Sequence, residues 1–215
     1  KETKLLGTNP VLNRKIPVEI DFTNSTIRSR VNKEGFIENG VKNLVTFSED
    51  FDNAIWTKSL ISVLSNQSVS PEGDVSADKL IPNLGTQLSR ILSNGISISP
   101  GVVTFSIFVK IIDFNFFFFR EDIDNVLSNT IFDLTSKTVP TLAAGRTARI
   151  TEYINGYLRI ELTASSPDAI MSNFGFGFCD NGTSIGVTGD DVKSGLIWGA
   201  QLEQGSVATE YYPTT

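Results

Sequence analysis

Three pairs of adjacent carboxylates, Glu49-Asp50, Glu121-Asp122 and Asp190-Asp191, are the residues of this 215-residue chain best suited to do chemistry. Paired carboxylates act as acid and base in glycoside cleavage, or ligate calcium through oxygen. Adjacent residues on a strand face opposite ways, so neither reading is selected by spacing, and solvated loop carboxylates account for the same pairs. Histidine is absent. That removes Ser-His-Asp and Cys-His nucleophilic catalysis, His-ligated zinc and any imidazole acid or base. Cys179 stands alone, so no disulfide framework and no thiolate metal cluster is expected. The expectation is a protein that is not an enzyme and needs no cofactor, with structural calcium as the one ion the acidic pairs would admit.

Recognition is the other chemistry the residues offer. Sugar binding by a β-sheet needs an aromatic face for the C–H side of a pyranose and planar polar groups for its hydroxyls. Phe108, Lys110, Tyr157, Arg159 and Glu161 supply that mixture on what reads as the non-core face of two strands. The bland alternative is an ordinary solvated sheet face, or one packed against another segment. The run Phe116, Phe117, Phe118 and Phe119 must place rings on both faces of a strand. It reads either as a strand buried between sheet and loop or as an aromatic strip for subunit contact, and the second is the expectation. Trp56 and Trp198 sit amid apolar alternation and read as core.

The elements that must position these residues are strands. In VVTFSIFVKII, Val103, Phe105, Ile107, Val109 and Ile111 share one face and Thr104, Ser106, Phe108 and Lys110 the other. Phe132 and Leu134 point inward before a turn near Ser136 and Lys137, as do Leu158, Ile160 and Leu162. Phe174, Phe176 and Phe178 alternate with glycines, which admit close approach to the backbone. Trp198, Ala200 and Leu202 are assigned to one face, Ile197, Gly199 and Gln201 to the other. Helical spacing is confined to a short piece near Ser48 to Thr57. Turn residues at Pro71-Glu72-Gly73, Asn94-Gly95, Pro100-Gly101, Asn155-Gly156, Asn181-Gly182 and Gly189-Asp190 separate the strands. The expected fold is all-β, an antiparallel jelly-roll β-sandwich over residues 43–215.

Residues 1–42 are polar, with brief alternation in IPVEIDF and GFIENG. They read as an extended N-terminal lead-in with a short hairpin that contacts another subunit or a particle. The start at Lys1 without Met reads as a fragment or a processed chain. A net charge of −6 gives no electrostatic reason to meet nucleic acid or an anionic membrane, and the longest apolar run is far too short to span a bilayer.

Three stretches together resemble phage tail and head-fibre appendage proteins carrying a carbohydrate-binding-module-like jelly roll. They are IRSRVNKEGFIENGVKNLVTFSEDFDNAIWTKSLISV, SVSPEGDVSADKLIPN and the close LIWGAQLEQGSVATEYYPTT. The likeness covers roughly residues 28–215. Where the family has an aromatic pair, this chain has Gly156-Tyr157-Leu158-Arg159. The resemblance implies a virion surface module, on a fibre, spike or decoration protein. It would attach to host-surface or environmental glycans without cleaving them, with other virion proteins as partners and a homotrimer supplying many weak contacts at once. Two alternatives stand beside it: a purely structural decoration or fibre domain with no glycan ligand, and a binding module of a polysaccharide-degrading enzyme.

Overall fold

The computed structural model describes residues 30–31, 37–38, 43–123, 126–166 and 170–215. The chain divides into two compact units, Lys1–Gly40 and Val41–Thr215. In the first, β1 (Arg30–Val31) pairs antiparallel with β2 (Ile37–Glu38); the remaining lead-in alternation, IPVEIDF, lies outside the described residues.

The second unit is built from strands. In chain order these are β3 (Trp56–Ser59), β4 (Ile61–Val69), β5 (Val75–Pro82), β6 (Gly85–Gln87), β7 (Arg90–Ser97), β8 (Gly101–Lys110), β9 (Phe116–Ile123), β10 (Val126–Asp133), β11 (Thr138–Thr141), β12 (Arg146–Glu152), β13 (Leu158–Ser166), β14 (Ile170–Cys179), β15 (Val187–Gly189) and β16 (Gly195–Gln204). A single 3-10 turn, Ile154–Gly156, is the helical element among the described residues. The Ser48–Thr57 piece forms bends and turns up to Ile55 and then β3.

Two six-stranded antiparallel sheets face each other, ordered β11-β10-β9-β14-β7-β3 and β12-β13-β8-β16-β5-β4, while β6 and β15 pair separately. We call the first the phenylalanine sheet and the second the clasp sheet. Within them, the sets β10-β9-β14-β7 and β13-β8-β16-β5 are traversed by a chain that crosses between sheets at nearly every connection. This is the jelly-roll path. The expected fold class is therefore the observed one, and β3, β4, β11 and β12 widen its edges.

The alternation in the sequence accounts for the core. Val103, Phe105, Ile107 and Val109 meet Leu158, Ile160 and Leu162 from the clasp sheet, opposite Phe174, Phe176 and Phe178 of β14. Rings dominate the interior and meet edge to face, as Phe105 and Phe119 do at 4.7 Å and 88°, the arrangement their quadrupoles favour. Trp56 lies in this core as expected, its indole N–H donating to the Phe47 carbonyl at 2.9 Å.

Two expectations are corrected. Phe117, Phe118 and Phe119 are fully buried and so do not form an exposed strip for subunit contact. Phe117 and Phe119 enter the main core, whereas Phe118 joins Ile131 and Cys179 on the sheet's other face, where Leu88, Phe116 and Ile185 pack over them. The loop-covered alternative is the observed one. Trp198 is buried but does not share a face with Ala200 and Leu202. The register of β16 against β8 shifts between Trp198 and Gln201, and Gly199 takes a φ of +62°. That bulge reverses the alternation. Ile197, Ala200 and Leu202 enter the main core, while Trp198 turns to the outer face with Phe108, Tyr157 and Tyr211.

Candidate functional site

Register across the clasp sheet lays its outward residues in rows. Thr147, Thr163, Thr104 and Glu203 form one row; Arg149, Glu161, Ser106 and Gln201 the next; Thr151, Arg159, Phe108 and Trp198 a third. The five residues chosen from sequence do come together on this face, but not as an open platform. Phe108 and Tyr157 are 1 % exposed, which withdraws both rings from any stacking role.

What covers them are two returning segments. The loop carrying Tyr153 sets that ring 4.9 Å from Phe108 at 65°, and Tyr157 reaches across to donate to the Val69 carbonyl at 3.1 Å. Burial pushes the Tyr157 hydroxyl up to about 12. Lys110 sits over the Tyr157 ring at 5.4 Å and Arg159 over Phe108 at 5.3 Å, cation–π contacts within the protein. Arg159 also donates to the Ser106 hydroxyl at 3.0 Å, and burial lowers its guanidinium below the ordinary range.

The second cover is the C-terminal segment, clasped to β16 together with residues 43–48. Asn43 donates to the carbonyls of Ala200 and Tyr212, both at 3.0 Å, and its side-chain oxygen accepts from Val45 and Leu202, both at 3.1 Å. Gln201 accepts from the Tyr212 N–H at 2.7 Å and donates to Glu203 at 2.6 Å. Glu203 in turn takes the Thr209 N–H and hydroxyl. Tyr211 packs on Trp198 at 4.5 Å, and its hydroxyl meets Ser48 at 2.7 Å and donates to Glu49 at 3.0 Å. The motif residues of NLVTFSED and WGAQLEQGSVATEYYPTT are thus the parts of one intramolecular clasp.

The outer face stays open over β12 and β13. There a groove of about 270 Å³ is lined by Thr147, Arg149, Glu161, Thr163, Ser206 and Val207. Its floor is a fork: Arg149 Nη2 donates to both Glu161 oxygens at 2.8 Å, and Nε to one of them at 3.1 Å. The Glu161 side chain is 7 % exposed and that of Arg149 58 %, so the arginine presents its outer edge to solvent while the carboxylate is held beneath. The paired carboxylate raises the Arg149 guanidinium above its ordinary value. Thr147, Arg149, Thr151 and Tyr153 alternate along the outward side of this edge strand and the loop beyond it, ending on a ring that is 44 % exposed. Of the five sequence-chosen residues only Glu161 lines the groove. Thr147, Arg149 and Tyr153 were missed, although TARITEY carries the polar-apolar alternation that marks them, as was Thr163 on the neighbouring strand.

Members of each acidic pair bond within the chain, Glu49 to the Tyr211 hydroxyl in the clasp. Glu121 points inward to accept from Arg146 Nε at 2.9 Å, Asp190 takes the N–H groups of Val192 and Lys193, and Asp191 takes that of Leu84. On the inner side of β5, buried Asp78 accepts from the N–H groups of Phe51 and Asn66 at 3.0 and 2.9 Å. Burial pushes its carboxyl up to about 6. Among the described residues no three His, Cys, Asp or Glu side chains converge to hold a metal ion.

Fold and groove together define a jelly-roll β-sandwich with a groove at one edge of one sheet. Among solved structures, the chain is similar to TmCBM61 in complex with β-1,4-galactotriose, at 12% identity and a TM-score of 0.41, over 76% of this chain and 99% of that one. No family model matches the chain, and no curated protein does.

Proposed function

We propose that this chain is a non-catalytic glycan-binding module on the surface of a phage particle, assembled as a homotrimer and attaching to host-surface or environmental polysaccharide. The observation that carries the reading is the β12–β13 groove with its fork fixed from below. A rigid, half-exposed guanidinium donates to sugar hydroxyls without first losing rotamer freedom, Thr147 and Thr163 offer hydroxyls that donate or accept, and Tyr153 supplies a ring at the end of the row. Such a site binds weakly, on the order of millimolar, and copies on one particle multiply it by roughly 10²–10⁴. The stretches that resemble phage appendage proteins support the particle setting.

A glycan array with the purified chain tests this. Binding that falls at least tenfold in both Arg149→Ala and Tyr153→Ala supports the groove; binding unchanged in both overturns it. The roofing of most of the outer face by Tyr153–Tyr157 and the C-terminal clasp favours a second reading, a decoration or fibre domain that binds no glycan. A blank array together with stoichiometric recovery of the chain in purified particles would establish that one instead.

A further inference from the structure

We propose that the outer face of the phenylalanine sheet holds a separate anion site, in which Arg90 and Arg120 together grip an oxyanion: a carboxylate, sulfate or phosphate group, free or carried by an acidic polysaccharide. The site stands independently of the groove, on the opposite side of the sandwich.

The register places the two arginines. Arg120 on β9 is level with Gly175 on β14, which is level with Leu92 on β7. One step along the same ladder Phe176 is paired with Ile91, so Arg90 comes level with Gly177. Both arginines share the face opposite Phe117, Phe119, Phe174 and Phe176, separated only by a strand whose outward positions are glycines. The two stand diagonally, two strands across and two residues along, about 12 Å between Cα atoms at ordinary sheet spacing, a span that two long side chains can close on one ion from its two sides. The glycines keep that ground low. A Cβ at Gly175 would stand 2.7 Å from Leu92 Cδ2, and one at Gly177 2.5 Å from the Ser89 carbonyl. Leu92 and Phe118 therefore lie flat over the strand, and no side chain of β14 rises between the guanidiniums.

The electrostatics ask for a partner. Within the described residues neither arginine forms an ion pair, while Arg146 and Arg149 both do. Burial first, and then the Arg120 charge beside it, depress the Arg90 guanidinium. Arg90 Nε is shut off from solvent without an acceptor among the described residues, so the terminal nitrogens of that guanidinium are the ones that would meet an anion. Arg120 spends one N–H on the Asn129 side-chain oxygen at 3.4 Å, a long bond and the one hydrogen bond its fork makes among the described residues. Asp122, further along β9, has interactions of its own. Two guanidiniums on one face, without an ion pair among the described residues, in a chain of net charge −6, offer the planar donors that oxyanions match.

Titration calorimetry on the whole chain tests this with three probes: inorganic sulfate, an oligogalacturonate, and a neutral galactan oligosaccharide that reports the groove separately. The acidic oligomer should bind, weaken as salt rises from 50 to 200 mM (roughly as expected for released counterions), and lose at least tenfold in affinity in Arg90→Gln and in Arg120→Gln. Arg90→Lys, which keeps the charge and loses the fork, should fall between. Lys193→Gln, which removes an exposed charge elsewhere, should stay within about twofold. Sulfate binding lost in the same variants, with no gain from the oligomer, would keep the site and assign it to the free ion. Equal binding of sulfate or oligomer by the wild type and both glutamine variants, or no binding of either probe, overturns the proposal, as does a loss of neutral-oligosaccharide binding in the glutamine variants equal to the loss for the acidic one. Melting curves confirm that each variant is folded, and Arg90→Lys carries the test if a glutamine variant is not.

Discussion

Replacing Asn43 with alanine removes the residue that ties both ends of the sandwich unit to β16. Its side chain makes four hydrogen bonds from a position 5 % exposed, all of them to backbone groups of Val45, Ala200, Leu202 and Tyr212. At about 0.5–1.5 kcal/mol net for each bond, and with partners left buried and unpaired, the loss comes to about 4 kcal/mol. For a unit of this size each kcal/mol moves the midpoint by about 2–4 °C, so Tm should drop by about 8–16 °C. Guanidinium denaturation followed by Trp198 and Trp56 fluorescence reads the change directly. Asn43→Asp sharpens the test. It keeps the acceptor for Val45 and Leu202 but sets a carboxylate oxygen against the carbonyls of Ala200 and Tyr212, so at neutral pH it should be at least as damaging as alanine. A loss below about 1 kcal/mol in Asn43→Ala, or a harmless Asn43→Asp, would show that the clasp does not hold the closing segment.

Other outcomes follow from the same geometry. Asp78 has a folded pKa raised by burial from 3.8 to about 6, so its protonated form is the one the fold favours. That contribution is complete below about pH 4 and is lost as pH rises through about 6, which amounts to about 3 kcal/mol. The stability difference between wild type and Asp78→Asn, measured by urea titration, should therefore shift against the wild type by that amount from pH 4 to pH 7; a flat difference refutes the assignment. Gly199→Ala combines a left-handed φ with a Cβ 3.1–3.2 Å from the rings of Tyr211 and Phe108, and thermal melting should show it destabilised by about 1–3 kcal/mol. Phe118→Ala should remove about 3–5 kcal/mol and leave the mass in light scattering unchanged, because the ring is buried within one chain.

Alternation made the sandwich legible before any coordinates. Val103 to Val109 and Leu158 to Leu162 point where their period-two pattern says they should, because both strands run straight through the core. The pattern misassigned Trp198 where one glycine bulge shifts the phase, a change that leaves no trace in hydrophobicity. The binding face was misread for a different reason. Phe108 looks half-exposed when judged by its own strand, and what buries it is a loop some fifty residues on and a tail a hundred on, Tyr153 and Tyr211. Local periodicity contains no information about such returns. Arg149 and Tyr153, by contrast, lie on an edge strand that keeps its pattern, and could have been chosen from it.

Asn43 holds β16, and five residues on, the same segment is latched to the C-terminus, with Ser48 donating its N–H to the Thr214 carbonyl at 3.2 Å and Thr214 donating its hydroxyl to the Val45 carbonyl. Traction applied between these two points would fall on that short set of bonds and bypass the paired sheets entirely. A domain pulled by its two ends would thus yield first at a small, re-closable latch, while the sandwich that carries the groove keeps its shape.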